Sequence, residues 1–355
     1  MAYTSIDNPE LYFQVKTYTG TGSSLALTLD GDEDMQPDLI WLKSRSNADY
    51  LYFQDSVRGV TKQLASNTSG AETSYTNGVT AFGTDGFTVD SSNWSNRSSG
   101  TFVAWCWKAT GSTASNSDGT NITSTVDANT TSGFSIVSWT GDNSGSSTVG
   151  HGLGKTAEFV NIKNRTDGSD WQTKHIDYAT NSINEINNTS APSSRVGSTN
   201  GGIADLSGTT TFGFIAGSAG VPAANGDSDD MIAYVWNSVQ GFSKIGSYTG
   251  NGNADGPFVY TGFRPAFLIT KRTDGVAGWS VKNNKTDPEN PVDRALFANT
   301  SDAEATDQYI IDFLSNGFKI RDASAGVNGD GSTYIYMCFS EAPLVNSNGV
   351  PCNAR

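Results

Sequence analysis

The sequence predicts an all-β protein built from three tandem antiparallel β-sandwich modules of jelly-roll type. The first observation behind this is one apolar phrase written three times. It reads Pro37-Asp-Leu-Ile-Trp-Leu-Lys43-Ser-Arg45, then Thr156-Ala-Glu-Phe-Val-Asn-Ile-Lys163-Asn-Arg165, then Arg264-Pro265-Ala-Phe-Leu-Ile-Thr-Lys271-Arg272. Each copy is a short run of branched and aromatic residues closed by Lys and Arg, the pattern of a strand buried on at least one face. The spacing of about 110 residues suits whole domains better than a solenoid. The second observation is composition: charged residues make up only 16%, 39 residues are glycine, and aromatic residues reach 11%. Turn-rich chains of this kind are all-β, and the aromatic content argues against disorder. The third is that the same landmarks recur in the same order around each phrase.

Taken in order, residues 1–11 form a short polar leader, an N-terminal arm or an anchor. The first module, 12–108, opens on Phe13-Gln-Val-Lys-Thr-Tyr18-Thr-Gly20, where Phe13, Val15 and Thr17 alternate with polar neighbours as in a half-buried strand. About eight strands fit before it closes on Thr101-Phe-Val-Ala-Trp-Cys-Trp107. Residues 109–133 are nearly all small and polar and read as a connector, with a possible strand at Asn121-Ile-Thr-Ser-Thr-Val126. The second module, 134–241, opens on Phe134-Ser-Ile-Val-Ser-Trp139-Thr-Gly141 and closes on Met231-Ile-Ala-Tyr-Val-Trp236. The third, 242–345, opens on Phe242-Ser-Lys-Ile-Gly-Ser-Tyr248-Thr-Gly250 and closes on Thr333-Tyr-Ile-Tyr-Met-Cys-Phe339. Residues 346–355 are a polar tail, loosely held unless it docks.

Charge and targeting exclude several function classes. A net charge of −14 with scattered basic residues repels phosphate backbones and anionic lipid surfaces, so neither nucleic acid nor membrane is an expected partner. The first ten residues lack the basic and apolar regions of a signal peptide, and no stretch approaches a membrane-spanning length. Three cysteines do not suggest a disulfide framework. Cys106 and Cys338, in matching closing strands, read as buried thiols of a chain folded in a reducing cytosol.

A search for chemistry returns no catalytic residues, no metal site and no cofactor. His151, in the turn Val149-Gly-His-Gly-Leu-Gly154, and His175, after Trp171, have no partner at metal-ligand spacing. No nucleophile elbow is present, and no strand-borne pattern places two carboxylates on one face for glycoside hydrolysis. Asp30-Gly-Asp32-Glu-Asp34 resembles the start of a calcium loop but lacks its glycine and closing Glu, and Asp227-Ser-Asp-Asp230 is no better. Thr19-Gly-Thr-Gly22 and Thr249-Gly-Asn-Gly252 sit in β-turns, not before a helix.

Two recurring features remain as candidate ligand-binding residues. Lys43, Lys163 and Lys271 close equivalent strands and share a face with aromatic or apolar neighbours. Each is placed either to contact a glycan or an acidic neighbour subunit, or to pair with a carboxylate on the next strand while its stem covers apolar surface. Trp171 and Trp279 recur, with Tyr52 nearest in the first module, and Trp94 stands alone in a polar stretch. Such rings either stack on sugars or pack in a core or interface.

The Tyr248-Thr-Gly-Asn-Gly252 turn, the Pro37-to-Arg45 phrase and the Gly-Phe turn strands resemble a family of virion-associated proteins of marine tailed phages. The opening Met-Ala-Tyr-Thr-Ser-Ile-Asp and the closing Gly-Val-Pro-Cys-Asn-Ala-Arg resemble that family's ends, so the likeness covers essentially the whole chain. It implies concanavalin-like jelly-roll modules and a tail-fibre-like structural role, without a catalytic motif. From it follow the expected location, the virion, assembled in the host cytoplasm, and the expected partners: other virion proteins, further copies in a homo-oligomer, and a host surface glycan. A capsid decoration or capsid-fibre protein is one alternative, and a concanavalin-type polysaccharide-degrading enzyme is another.

Overall fold

A computed structural model describes residues 3–352 and is nearly all β, with 41% strand and 3% helix. Met1, Ala2 and the last three residues of the predicted leader and tail lie outside the described residues. Three large antiparallel sheets dominate, and they share one strand order. In the first, the opening strand Phe13–Thr19 pairs with the closing strand Thr101–Trp107, which pairs with the phrase strand Leu39–Ser44, followed outward by Tyr52–Asp55, Lys62–Ala65 and Thr73–Ser74. The second runs Phe134–Thr140, Asp230–Trp236, Phe159–Asn164, Gln172–His175. The third runs Ser243–Thr249, Thr333–Pro343, Phe263–Arg272, Ser280–Asn283, Leu296–Phe297.

Each large sheet is backed by a three-stranded sheet, together forming a sandwich unit. The backing strands are Leu25–Leu27, Gly86–Val89 and Val79–Gly83 in the first unit, and Thr148–Gly150, Thr211–Ile215 and Gly202–Ile203 in the second. In the third they are Phe258–Tyr260, Gly317–Ile320 and Ile311–Leu314. Side chains alternate across a strand, so a large sheet has two faces to bury. Ile40, Leu42, Ala104 and Cys106 pack against the first backing sheet. Leu39, Trp41, Val103, Trp105 and Trp107 point the other way, into a cluster shared by all three units. This explains why the phrase strands read as continuous apolar runs: both of their faces are covered.

Aromatic rings fill the centre of the shared cluster. Trp107 lies 6.0 Å from Trp236 and 5.6 Å from Phe267, and Phe13 stacks on Phe339 at 5.0 Å. Each such pair adds about 0.5–1.5 kcal/mol to the burial of its area. The three large sheets therefore present their outer faces to one another, and each sandwich keeps a smaller core of its own.

Two stretches that the sequence leaves undecided take a definite form. Part of the 109–133 connector is sheet: Ala114–Asn116 and Ser124–Asn129 extend the second large sheet beyond Phe134–Thr140. Val126 and Ile122, both within the possible strand over 121–126, enter that unit's core. The leader and tail are also docked. Ile6 is buried in the shared cluster, Tyr3 donates to Gly262 O at 2.9 Å, and Ser347 binds Asp7. Cys106 and Cys338 are buried free thiols and Cys352 is exposed.

Candidate functional site

The six residues singled out from sequence as ligand contacts are all buried. Lys43, Lys163, Lys271 and Trp171 are fully covered, Trp279 is 1% exposed and Trp94 is 7% exposed. Trp94 sits in the short helix Asn93–Asn96, packed 4.3 Å from Tyr52, not in an open loop. Direct sugar contact by these side chains is thus corrected: burial takes them away from any solute. The alternation that put each lysine on a sheet face turns that face toward a neighbouring unit.

The lysines instead close the boundaries between units in a ring. Lys43 donates to Thr300 O of the third unit at 2.9 Å, Lys163 to Ser69 O of the first at 3.1 Å, and Lys271 to Thr189 O of the second at 3.2 Å. Burial pushes all three down to about 8. A buried ammonium needs acceptors on every side, and backbone carbonyls of a neighbouring loop supply them. The tryptophans act alike: Trp171 Nε1 donates to Ala65 O at 2.8 Å and Trp279 Nε1 to Glu185 O at 3.2 Å, each across a boundary. The first-unit counterpart is Leu51, not Tyr52. Leu51, Trp171 and Trp279 each immediately precede the strands Tyr52–Asp55, Gln172–His175 and Ser280–Asn283.

At two boundaries the arginine after the lysine forms a forked ion pair. Arg45 holds Glu304 at 3.0 and 2.8 Å, and Arg165 holds Glu72 at 2.9 and 3.0 Å. The same two acids donate their backbone N–H to the arginine's own carbonyl. Glu72 also reaches the fully buried Arg58 at 3.1 Å, which pairs with Asp55, and Tyr234 OH donates to Asp55 at 2.8 Å. Burial raises the Glu72 carboxyl, but its bonds from Arg165 and the charge of Arg58 outweigh this and hold it low. These acids were missed in the sequence, although Asn67-Thr-Ser-Gly-Ala-Glu72 and Asn299-Thr-Ser-Asp-Ala-Glu304 are visibly one motif.

The third boundary, between the second and third units, lacks the fork. Strand register identifies the reason. Gln63 pairs with Thr73 and Ile183 with Ser193, so Pro192 stands where Glu72 stands. Proline brings neither a carboxylate nor an N–H. Arg272 turns instead to Asp274 at 2.7 Å and Ser332 at 3.0 Å within its own unit, and its carbonyl accepts Lys271. Among the described residues no ion pair spans this boundary.

A cleft of about 540 Å³ opens at that place. Its third-unit wall carries Ser247, Thr249, Thr273 and Thr333, and its second-unit wall carries Asp177, Tyr178, Ser182 and Pro192. The hydroxyls of Thr273 and Thr333 lie 2.6 Å apart. Below it, buried His175 accepts from Asp177 N through Nδ1 and places Nε2 3.3 Å from Tyr336 O, so the imidazole is neutral with its proton on Nε2. Burial lowers this histidine to about 4. His151 is likewise buried and lowered to about 4, its Nδ1 accepting from Leu153 N.

A sequence-family profile described as "Domain of unknown function (DUF7483)" matches residues 8–343. No curated protein and no solved structure matches the chain.

Proposed function

Because this chain belongs to the family described as a domain of unknown function, DUF7483, we propose its role from its own geometry. It is a non-enzymatic structural component of a tailed-phage particle, tail-fibre-like, that presents a rigid block to the host surface and binds glycan there. The observation that carries this reading is the ring of boundary contacts. Lys43, Lys163 and Lys271 each cross to the next unit, and one aromatic cluster serves all three sheets. That is the construction of a stiff scaffold, whose buried polar groups specify one arrangement of the units. Both histidines are neutral, covered and held by backbone groups, which supports a scaffold over an acid–base site. The acidic surface suits a densely packed assembly that must not self-associate at random. Repetition of such a block in an oligomer turns weak contacts into avidity.

The test is a cryo-electron reconstruction of the intact particle whose genome encodes this chain. Density for the three-unit block at a tail or fibre supports the proposal. Density over the capsid lattice moves the role to decoration, and absence from the particle refutes it.

A further inference from the structure

We infer that the cleft between the second and third units is a binding site for a neutral hexose, an inference that rests on the surface-binding reading above. The units repeat, so a feature present at one boundary and missing at the others marks a place where the scaffold rule is broken. Two boundaries are closed by the Arg45–Glu304 and Arg165–Glu72 forks. At the third, Pro192 removes the acid and Arg272 folds back, and it is here that the cleft opens.

Its lining selects a ligand class. Ser247, Thr249 and Thr333 stand in adjacent antiparallel strands, with Thr249 directly opposite Thr333, giving a patch of hydroxyls on one sheet face. The side chains of Ser247 and Thr249 have no protein hydrogen-bond partner among the described residues, and both residues are exposed. Facing them, Pro192 and Ala179 supply apolar surface, and Asp177 supplies a carboxylate. Hydroxyls opposite an apolar wall, with a carboxylate at the rim, match a pyranose ring: its C–H face lies on Pro192 and Ala179 while its hydroxyls bond the sheet. Among the described residues no basic side chain lines the cleft, and Asp177 together with the net charge of −14 repels a uronic or sialic acid. The sugar it admits is therefore uncharged.

The experiment titrates the full chain with lactose and cellobiose, and separately with digalacturonate, read by saturation-transfer NMR and calorimetry. Neutral disaccharides are expected to bind weakly and digalacturonate not at all. Ser247→Tyr, which fills the cleft from an exposed strand position that tolerates an aromatic, is expected to weaken binding at least tenfold. Asp177→Asn is expected to weaken it about fivefold, through loss of a charged acceptor. Melting temperatures of both variants should match the parent. Failure of both neutral sugars to bind, equal binding by parent and Ser247→Tyr, or tighter binding of digalacturonate overturns the inference. The two failures separate cleanly: a chain found on the particle with an inert cleft keeps its structural role, and one that binds sugar but is absent from the particle keeps the cleft alone.

Discussion

Glu72 and Arg165, from adjacent units, face each other in a two-bond fork at 2.9 and 3.0 Å, and Glu72 bonds the buried Arg58 as well. One carboxylate thus compensates two guanidinium groups at a boundary between sheets. Glu72→Gln leaves Arg58 with Asp55 as its only carboxylate partner. The expected loss is about 2–3 kcal/mol, at or just below the roughly 3–5 kcal/mol for breaking a fully buried pair, because part of the network survives. Urea denaturation of parent and variant checks this, and a change under about 0.5 kcal/mol would show that the boundary does not depend on the fork.

Pro192→Glu should do the reverse. It restores both the carboxylate and the N–H that Arg272 lacks, remaking at the third boundary the arrangement of the other two. The expected gain is about 0.5–1 kcal/mol, the worth of a partly exposed ion pair. Closing the cleft should also abolish neutral-sugar binding. A variant less stable than the parent would mean that the backbone at Pro192 cannot accept the substitution, and a crystal structure would show Arg272 still on Asp274.

In acid, His151 and His175 should govern part of the stability. Burial lowers both to about 4 from an ordinary 6.5. The unfolded chain therefore binds more protons between these values, and stability falls as pH drops from 6.5 to 4. Replacement His175→Asn, the residue the third unit carries at the matching Asn283, should flatten that slope. Unfolding free energies at pH 7, 5.5 and 4.5 provide the comparison, and identical slopes would contradict it.

At alkaline pH the sign is less familiar. Lys43, Lys163, Lys271 and Lys282 are each lowered by burial to about 8 from 10.5. Between these values the unfolded state holds more protons, so stability should rise from pH 8 to 10. Above pH 10 the buried Tyr18, Tyr178, Tyr234 and Tyr248, all raised by burial, reverse the trend because only the unfolded chain ionises them. A steady decline from pH 8 onward would show the lysines to be better solvated than their burial indicates.

Much of this fold is legible in the sequence, because its strands obey period two and its phrase is written three times. The all-β class follows directly, and so does the alignment of Lys43, Lys163 and Lys271. What the sequence cannot display is which way a doubly buried strand faces. Trp41 and Lys43 share a face by alternation, and nothing local says that this face meets another unit. Exposed and inter-unit surfaces are equally able to carry a Lys beside an aromatic, so six covered side chains read as candidate ligand contacts. The acids that answer the arginines lie about 90 residues or more from them, beyond any local pattern. Glu72 and Glu304 were still recoverable by aligning the loops, and Pro192 shows itself only as the position where that alignment breaks. The strand Ser124–Asn129 is only half legible, as a possible strand over 121–126, because its flanking residues are those of turns.

Scanning calorimetry of the full chain tests most directly whether the three units form one body. The shared aromatic cluster and the ring of lysine, tryptophan and arginine contacts require a single transition, with calorimetric and van't Hoff enthalpies in agreement. Two or three resolved transitions, or a fragment spanning 12–108 that melts on its own near the temperature of the whole chain, would contradict it.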